Sequence, residues 1–448
     1  LSTSIGRRTQ AGSGDPSTIQ YTEAQRRAIA TLDDPLLIIA CAGSGKTQVI
    51  SQRIVAILQR PGVEPRNIVA FTFTEKAAAE LKDRTLTLIA DQLGEVYGLA
   101  DMYIGTMHGF ARAVLQDMVP VTFKYSILDE IQGRLFADRN YRKSGMATAQ
   151  VVSNGSSRPV KRYVESRLYL QVMGLLREED IGVGHVPDSL DEALGLYRDL
   201  IHKHHFFDYP ELLRTAVDML ELEPDDDMAG ALVRHVRDTV RYVVVDEYQD
   251  TNYIQERIIR ALCRFGANLC VVGDDDQTIY QWRGSTVDNI QEFTDRHKGV
   301  VSVNLDDNFR SSPAVVSLAK SVVESLVPER LPKNMSAAGH QVFERGDLLA
   351  LDFADPAEEA TWICDRILEL RGAAFHDTTG SPARGLSWSD MAVLFRSVSK
   401  DADPLVTELK RLGIPYIIKG LARLFDAPEI QACVRCFEYI IDETDAET

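Results

Sequence analysis

The sequence predicts an α/β fold built on a parallel sheet with helices on both faces. Two observations predict it. Apolar runs of strand length alternate with amphipathic helical stretches, the pattern of parallel strands joined by crossover helices. One such run, Leu36, Leu37, Ile38 and Ile39, leads straight into Ala40-Cys-Ala-Gly-Ser-Gly-Lys-Thr47, and a segment of helical periodicity follows at 48–58. A buried strand, a glycine-rich turn and a helix in that order form a phosphate-binding loop at a helix N-terminus. Gly43 and Gly45 let the backbone curl so that the N–H groups of Ala42, Gly43, Ser44 and Gly45 can face an anion. Lys46 can reach the terminal phosphates and Thr47 can offer its hydroxyl to Mg²⁺. Ala40 stands where the general pattern has its first glycine.

The expected strands of the first series lie at 36–41, 68–72, 102–105, 242–246 and 269–273, with helices at 75–92, 107–118 and 253–263. Ligands of such sheets gather at the carboxyl ends of the strands. Helical segments dominate from about 112 to 240, read as an insertion that interrupts the sheet, and the Ser/Asn/Gly-rich stretch 153–157 is a loop signal. A second β/α series is expected after Gly299, with strands at 300–303, 348–353, 391–395 and 415–418. Its helices are expected at 313–326, 356–370, 404–412 and 428–441. The expected division is a flexible tail at 1–18, a first sheet domain at 19–111 and 206–290, a helical, partly basic insertion at 112–205, and a second sheet domain at 291–448.

A length of 448 residues suits several domains, and 45% hydrophobic content can build sizeable cores. No run of 18 apolar residues exists, and the first eighteen residues lack the apolar stretch of a secretory signal. The chain begins with Leu rather than Met, so its start is expected to be processed or cut. Six irregularly spaced cysteines argue against a disulfide scaffold and for a reducing, cytoplasmic setting. Cys433 and Cys436 form a lone C-x-x-C, read as two core-facing thiols rather than a metal site. The net charge of −17 argues against nucleic acid only as a global average. Between Gln132 and Leu168, Arg134, Arg139, Arg142, Lys143, Arg158, Lys161, Arg162 and Arg167 face only Asp138 and Glu165. This basic island is a candidate phosphate-contacting face, with a solvated loop as the alternative.

Three further segments carry chemistry. The strand Val243-Val-Val ends in Asp246 and Glu247, costly to bury without a cation or a wet cleft. Asp246 suits Mg²⁺, and Glu247 suits polarising an attacking water. The strand Val271-Val-Gly runs into three aspartates and Gln277, which could contact the γ-phosphate or the attacking water. Tyr280 and Trp282 follow, with Arg283 beside them; the rings either stack on bases or pack in a core. At Leu305-Asp-Asp-Asn-Phe-Arg-Ser311, Arg310 could act as a finger toward nucleotide or form a surface ion pair.

Taken together, these motifs resemble those of superfamily 1 DNA helicases of the UvrD/Rep/PcrA type. Tyr21-Thr-Glu-Ala-Gln25 resembles the Q motif, implying that Gln25 reads adenine. Residues 40–47 resemble the family's phosphate loop, in which Ala commonly takes the first position. Residues 71–81 and 105–110 resemble motifs Ia and Ib, implying single-strand contacts from Thr72, Phe73, Thr106 and His108. Residues 246–250, 273–284 and 308–310 resemble motifs II, III and IV. The resemblance implies two RecA-like parallel-sheet domains, the second incomplete, around an ATP and Mg²⁺ site. It implies 3′ to 5′ movement on single-stranded DNA or at single/double-strand junctions, with DNA stacking on Phe73, Tyr280 and Trp282. Phe309 replaces the family's usual Tyr beside Arg310; it can stack on adenine but donates no hydrogen bond. Gln48 stands where an Arg commonly packs on the other adenine face. Motifs V and VI are not in this sequence, so a further C-terminal half or a protein partner is expected to complete the motor. Two other readings stay open: an ATP- and DNA-binding module without unwinding activity, and the helicase part of a RecB- or AddA-like nuclease complex.

Overall fold

Apolar, β-branched runs make the central strands, and several helices, among them those that begin at Glu23, Glu75, Met107 and Tyr253, start where a Thr or Asn side chain caps them. The computed structural model describes residues 20–153, 156–181, 185–279, 287–326, 330–377 and 381–419, with 430, 432, 433 and 436. The chain runs through α1 (Glu23–Ala30), β1 (Leu36–Ala40), α2 (Lys46–Leu58), β2 (Ile68–Phe71), α3 (Glu75–Leu93), β3 (Tyr103–Gly105) and α4 (Met107–Met118). It continues through β4 (Ser126–Ile127), α5 (Glu130–Arg139), β5 (Gln150–Ser153), β6 (Ser156–Pro159), α6 (Ser166–Glu178), α7 (Asp188–Lys203) and β7 (Phe206–Phe207). Next come α8 (Tyr209–Leu220), α9 (Gly230–Thr239), β8 (Tyr242–Val245), α10 (Tyr253–Cys263), β9 (Asn268–Gly273), α11 (Asp288–Gln291) and α12 (Phe293–Arg296). They are followed by β10 (Val301–Leu305), β11 (Asp307–Asn308), α13 (Pro313–Leu326) and β12 (Ser336–Ala337). The remaining elements are α14 (Pro356–Leu370), β13 (Ala374–Phe375), β14 (Arg384–Gly385), α15 (Val398–Asp401) and α16 (Asp403–Leu412).

Six parallel strands form the main sheet in the order β10-β1-β9-β8-β2-β3. Every residue of β1, β2 and β8 is buried, as expected when helices cover both faces. The two-residue period sorts side chains between two cores. Leu37, Ile39, Val69, Phe71, Val243, Val245 and Val271 pack with α4, α8 and α10. Leu36, Ile38, Ile68, Ala70, Val244 and Val272 pack with α1, α2 and α3.

The insertion has its own core, including Met146, Tyr169, Met173, Ala193, Tyr197 and Ile201. Where the chain leaves and returns, β4 pairs with β7. The expected start at 112 falls inside α4, whose Val114 and Leu115 belong to the main core, so the departure comes after that helix. The loop signal at 153–157 lies at an antiparallel hairpin, β5 with β6.

Expectations about strands and about the C-x-x-C pair are corrected. The strand expected to open a second sheet is β10, and it completes the first one, with Leu36 opposite Val301 and Ala40 opposite Leu305. Periodicity specifies a strand but not the edge it joins. The first compact unit accordingly extends to Gln341, and the second comprises Val342–Thr448. Within the second unit, α14 and α16 pack around Ala360, Cys364, Leu405, Leu409 and Ile414. The runs at 348–353, 391–395 and 415–418 are not strands; the pairing among the described residues of this unit is the two-residue β13–β14 ladder. Leu394 and Ile417 are largely exposed there. Apolar content favours burial, whereas a strand also needs an edge to bond to. Most of the helix expected at 428–441 lies outside the described residues. Cys433 and Cys436, expected to face a core, are both exposed.

Candidate nucleotide and nucleic-acid site

All six carboxyl ends of the main sheet carry a sequence-predicted motif. After β1, Gly43 (φ 71°) and Gly45 (φ 82°) take left-handed conformations that favour glycine, and Gly45 is the N-cap of α2. Lys46 is the first residue of that helix. Its Nζ donates to both carboxylate oxygens of Glu247 at 2.8 Å, although the two residues are 201 positions apart in sequence. Strand order accounts for the meeting, because only β9 separates β1 from β8.

Asp246 follows β8 directly, and its N–H donates to the Phe71 carbonyl at 2.9 Å. Burial, reinforced by the neighbouring Glu247 charge, pushes the Asp246 carboxyl up to about 6, with Lys46 pulling the other way. Burial would raise Glu247 too, but the Lys46 charge and bonds from Gln249 and Lys46 hold it below the ordinary range. Glu247 is a non-glycine residue at φ 51°, a conformation that stores strain at functional sites. Asp250 is pushed up to about 6, chiefly by burial and then by Glu247.

Gln249 bridges neighbouring strand ends. Its Nε2 donates to Glu247 at 2.8 Å, and its Oε1 accepts the Asp274 N–H at 3.0 Å. Gln277 closes a 3₁₀ turn after β9 and donates to Asp274 Oδ2 at 2.7 Å. Beyond β10, Asn308 Nδ2 donates to the Ala42 carbonyl at 2.7 Å, and the Phe309 N–H donates to the Gly43 carbonyl at 2.9 Å. A Cβ on Gly43 would come within 2.8 Å of both Asn308 Oδ1 and Arg310 Cβ. Arg310, expected to reach across from a second domain, is thus seated on the phosphate loop within the same compact unit.

Gln25 is buried, and both ends of its amide have partners. Oε1 accepts the Thr22 N–H at 3.0 Å and Nε2 donates to the Ser44 carbonyl at 3.0 Å, which positions the phosphate loop. Gln48 donates to the Tyr21 hydroxyl at 2.7 Å and accepts from Arg84 at 3.3 Å.

A cleft of about 300 Å³ joins the acids to the expected single-strand contacts. Thr72, Phe73, Thr106 and His108 line it together with Asp246, Glu247, Asp250 and Glu178 from α6. Thr106 caps α4 by accepting the Gly109 N–H and donates to Glu75 at 2.6 Å. His108 packs edge-to-face on Tyr209 with centroids 5.4 Å apart, and burial pushes its imidazole down to about 4. It is therefore neutral at neutral pH. Tyr280, Trp282 and Arg283 lie outside the described residues. In the basic island, Arg158 pairs with Glu165 at 2.6 Å, Arg167 with Glu130 at 3.1 Å, and Arg162 bonds the Asp138 carbonyl. Arg139, Arg142, Lys143 and Lys161 are exposed.

The family model described as the UvrD/REP helicase N-terminal domain matches residues 21–298. The chain belongs to the UvrD/REP helicase family. The UvrD-like helicase C-terminal domain matches residues 303–448. The chain is 29% identical to the ATP-dependent DNA helicase UvrD1 of Mycobacterium leprae, covering 94% of this chain and 52% of that protein. It is 29% identical to the ATP-dependent DNA helicase PcrA of Bacillus subtilis, covering 91% and 51%, and 27% identical to PcrA of Staphylococcus aureus, covering 94% and 54%. The chain spans about half the length of the curated relatives it matches.

The residues present fit a nucleotide with Mg²⁺, the cofactors this family implies. The buried Ser44 hydroxyl, inside the phosphate loop, has no protein partner, and neither does Asp250 Oδ1 at the cleft. The donors on offer, the Thr47 hydroxyl and the Asp246 carboxylate, are hard oxygens suited to Mg²⁺. Among the described residues, no helix is long and apolar enough to cross a membrane. Sequence reasoning missed Gln249, Asn308 as a clasp on Ala42, and the partners of the three aspartates. Each acts by bridging strand ends, which no local spacing reveals.

Proposed function

We propose that this chain hydrolyses ATP at the carboxyl edge of its main sheet and uses it to move along single-stranded DNA, 3′ to 5′, as a repair or replication helicase. The observation that carries the reading is the Lys46–Glu247 pair at 2.8 Å, whose Glu247 lines a cleft together with Thr72, Phe73, Thr106 and His108. Lys46, the loop N–H groups and Ser44 would hold the phosphates. Thr47 and Asp246 would hold Mg²⁺, which supplies charge neutralisation at the transferring phosphoryl group when bound. Lys46 exchanges Glu247 for phosphate oxygens, which releases the carboxylate to accept a proton from water. Gln277, after β9, and Arg310, beyond β10, would flank the terminal phosphate from strand ends on either side of β1, and the exposed Phe309 ring offers a face for adenine. Exposed Arg139, Arg142, Lys143 and Lys161 are available to phosphate backbone near a single/double-strand junction.

Lys46→Ala is expected to lower DNA-stimulated ATP turnover by at least about 10²-fold without changing the melting temperature by more than a few degrees. Turnover equal to the parent would remove this site from the reaction. A second reading is favoured by the half-length match to the relatives: an ATP- and DNA-binding portion that needs a further segment or partner to unwind. Measuring ATP turnover with and without single-stranded DNA, then strand displacement, separates the two.

A further inference from the structure

Asp274, Asp275 and Asp276 follow β9 directly, and their carboxylate oxygens lie within 4.8 Å of one another. Carboxylates this close repel one another strongly unless cations sit among them. The cations come from one short stretch of chain before β12. Lys333 Nζ donates to both Asp274 and Asp275 and lies 3.0 Å from Asp276; its side chain is 1% exposed. Arg330 forks onto Asp276 at 2.6 and 2.5 Å, and the Leu331 N–H donates to Asp275 at 2.7 Å. An ammonium has three donors and no acceptor, so one lysine can serve three carboxylates.

The position of this cluster matters more than its charge. Asp274 uses Oδ1 for Lys333 and Oδ2 for the Gln277 amide, at 2.7 Å for the latter. Its N–H donates to Gln249, which in turn holds Glu247. The stretch that supplies Lys333 runs on into β12, which pairs with β11, and Asn308 of β11 clasps the Ala42 carbonyl of the phosphate loop.

From this geometry we propose that Lys333 is a positioning residue of the hydrolytic site. Its ammonium fixes the Asp274 carboxylate, and Asp274 fixes the amide of Gln277. The inference rests on the reading that this chain hydrolyses ATP, with Gln277 facing the terminal phosphate. Lys333 itself touches no reacting atom in this scheme. A methionine there would fill similar volume but leave three carboxylates without their shared cation, and Gln277 would lose its anchor.

The test uses the full chain and four variants: Lys333→Met, Lys333→Arg, Gln277→Ala and the Lys333→Met/Gln277→Ala double. Lys333→Met is expected to lower kcat at saturating single-stranded DNA by at least about tenfold, with KM for ATP within about threefold. Lys333→Arg, which keeps the charge, is expected to recover most of the loss. The double variant is expected to lose no more than about twofold beyond the worse single, because both changes act through one amide. A kcat within twofold of the parent, or multiplicative losses in the double, overturns the proposal. If Lys333→Met does not fold, Asp274→Asn is expected to give the same kcat loss, and parent-like turnover there overturns it equally. Hydrogen exchange without nucleotide supplies a readout independent of turnover. Lys333→Met is expected to speed exchange of the 274–278 amides by at least about tenfold; unchanged exchange overturns the proposal. A parent chain without Lys46-dependent ATP turnover would refute the proposed function, and the exchange result would still decide the role of Lys333.

Discussion

Asp246 shows how burial and charge divide labour between neighbouring residues. In the folded chain its carboxyl holds a proton up to about pH 6, against an ordinary value of 3.8. The folded chain therefore binds the extra proton between those values. The stabilisation this gives is fully present below about pH 4 and lost as pH rises through 6. Asp246→Asn removes the buried charge but can still accept the Glu247 N–H. It is expected to melt above the parent at pH 8, with the gap closing near pH 4, by scanning calorimetry. A gap that stays the same at both pH values would contradict the assignment. Gly43 makes the second case. It combines a left-handed backbone with 2.8 Å approaches from Asn308 and Arg310, so Gly43→Ala should cost about 1–3 kcal/mol in urea unfolding. An unchanged midpoint would mean the loop can shift away from Asn308. The glycines, Lys46 and the paired acids were all legible in the sequence, since each needs only its own residue type and immediate neighbours. The bonds of Gln25 were not, because a capping-box glutamine and a base-reading glutamine have the same local sequence.

Element by element, helix starts place the cleft. Thr74, shortly after β2, and Thr106, directly after β3, cap α3 and α4, which brings Phe73 and His108 to the same cleft. Thr106→Val should lose both the cap and the bond to Glu75, costing about 0.5–2 kcal/mol, while Thr106→Ser should keep most of the stability. Equal denaturation midpoints for all three chains would refute the capping role. The strands at the centre of the sheet were readable because each is apolar along its whole length. The run at 301–305 was equally readable as a strand, yet its partner was not. Its ladder is with β1, more than 260 positions earlier, and nothing in 301–305 itself names that edge. The runs at 348–353 and 391–395 show the converse, apolar stretches without a ladder.

For the molecule as a whole, the insertion is tied to the main sheet by buried charge. Arg177 of α6 reaches Asp208 and Glu211 at 2.7 and 3.2 Å, and Glu211 of α8 also takes Arg198 and His202. Glu211 is completely buried. Burial would raise its carboxyl, but bonds from His202 and Arg198 and the Arg177 charge hold it far below the ordinary range. Removing one member of such a group leaves uncompensated charge, so Glu211→Gln should destabilise the chain by about 3–5 kcal/mol in guanidinium unfolding. A loss under about 1 kcal/mol would show that the arginines find other partners.

Sequence alone determined the chemistry that depends on neighbours along the chain: the glycine turn, the strand-end acids and the ordered motifs of a helicase family. Tertiary structure alone decided which of those ends meet. Lys46 and Glu247, Asn308 and Ala42, Lys333 and Asp274 are far apart along the backbone and become partners through strand order. Strand order follows from pairing edges and burying faces, properties of the whole sheet that no single segment carries.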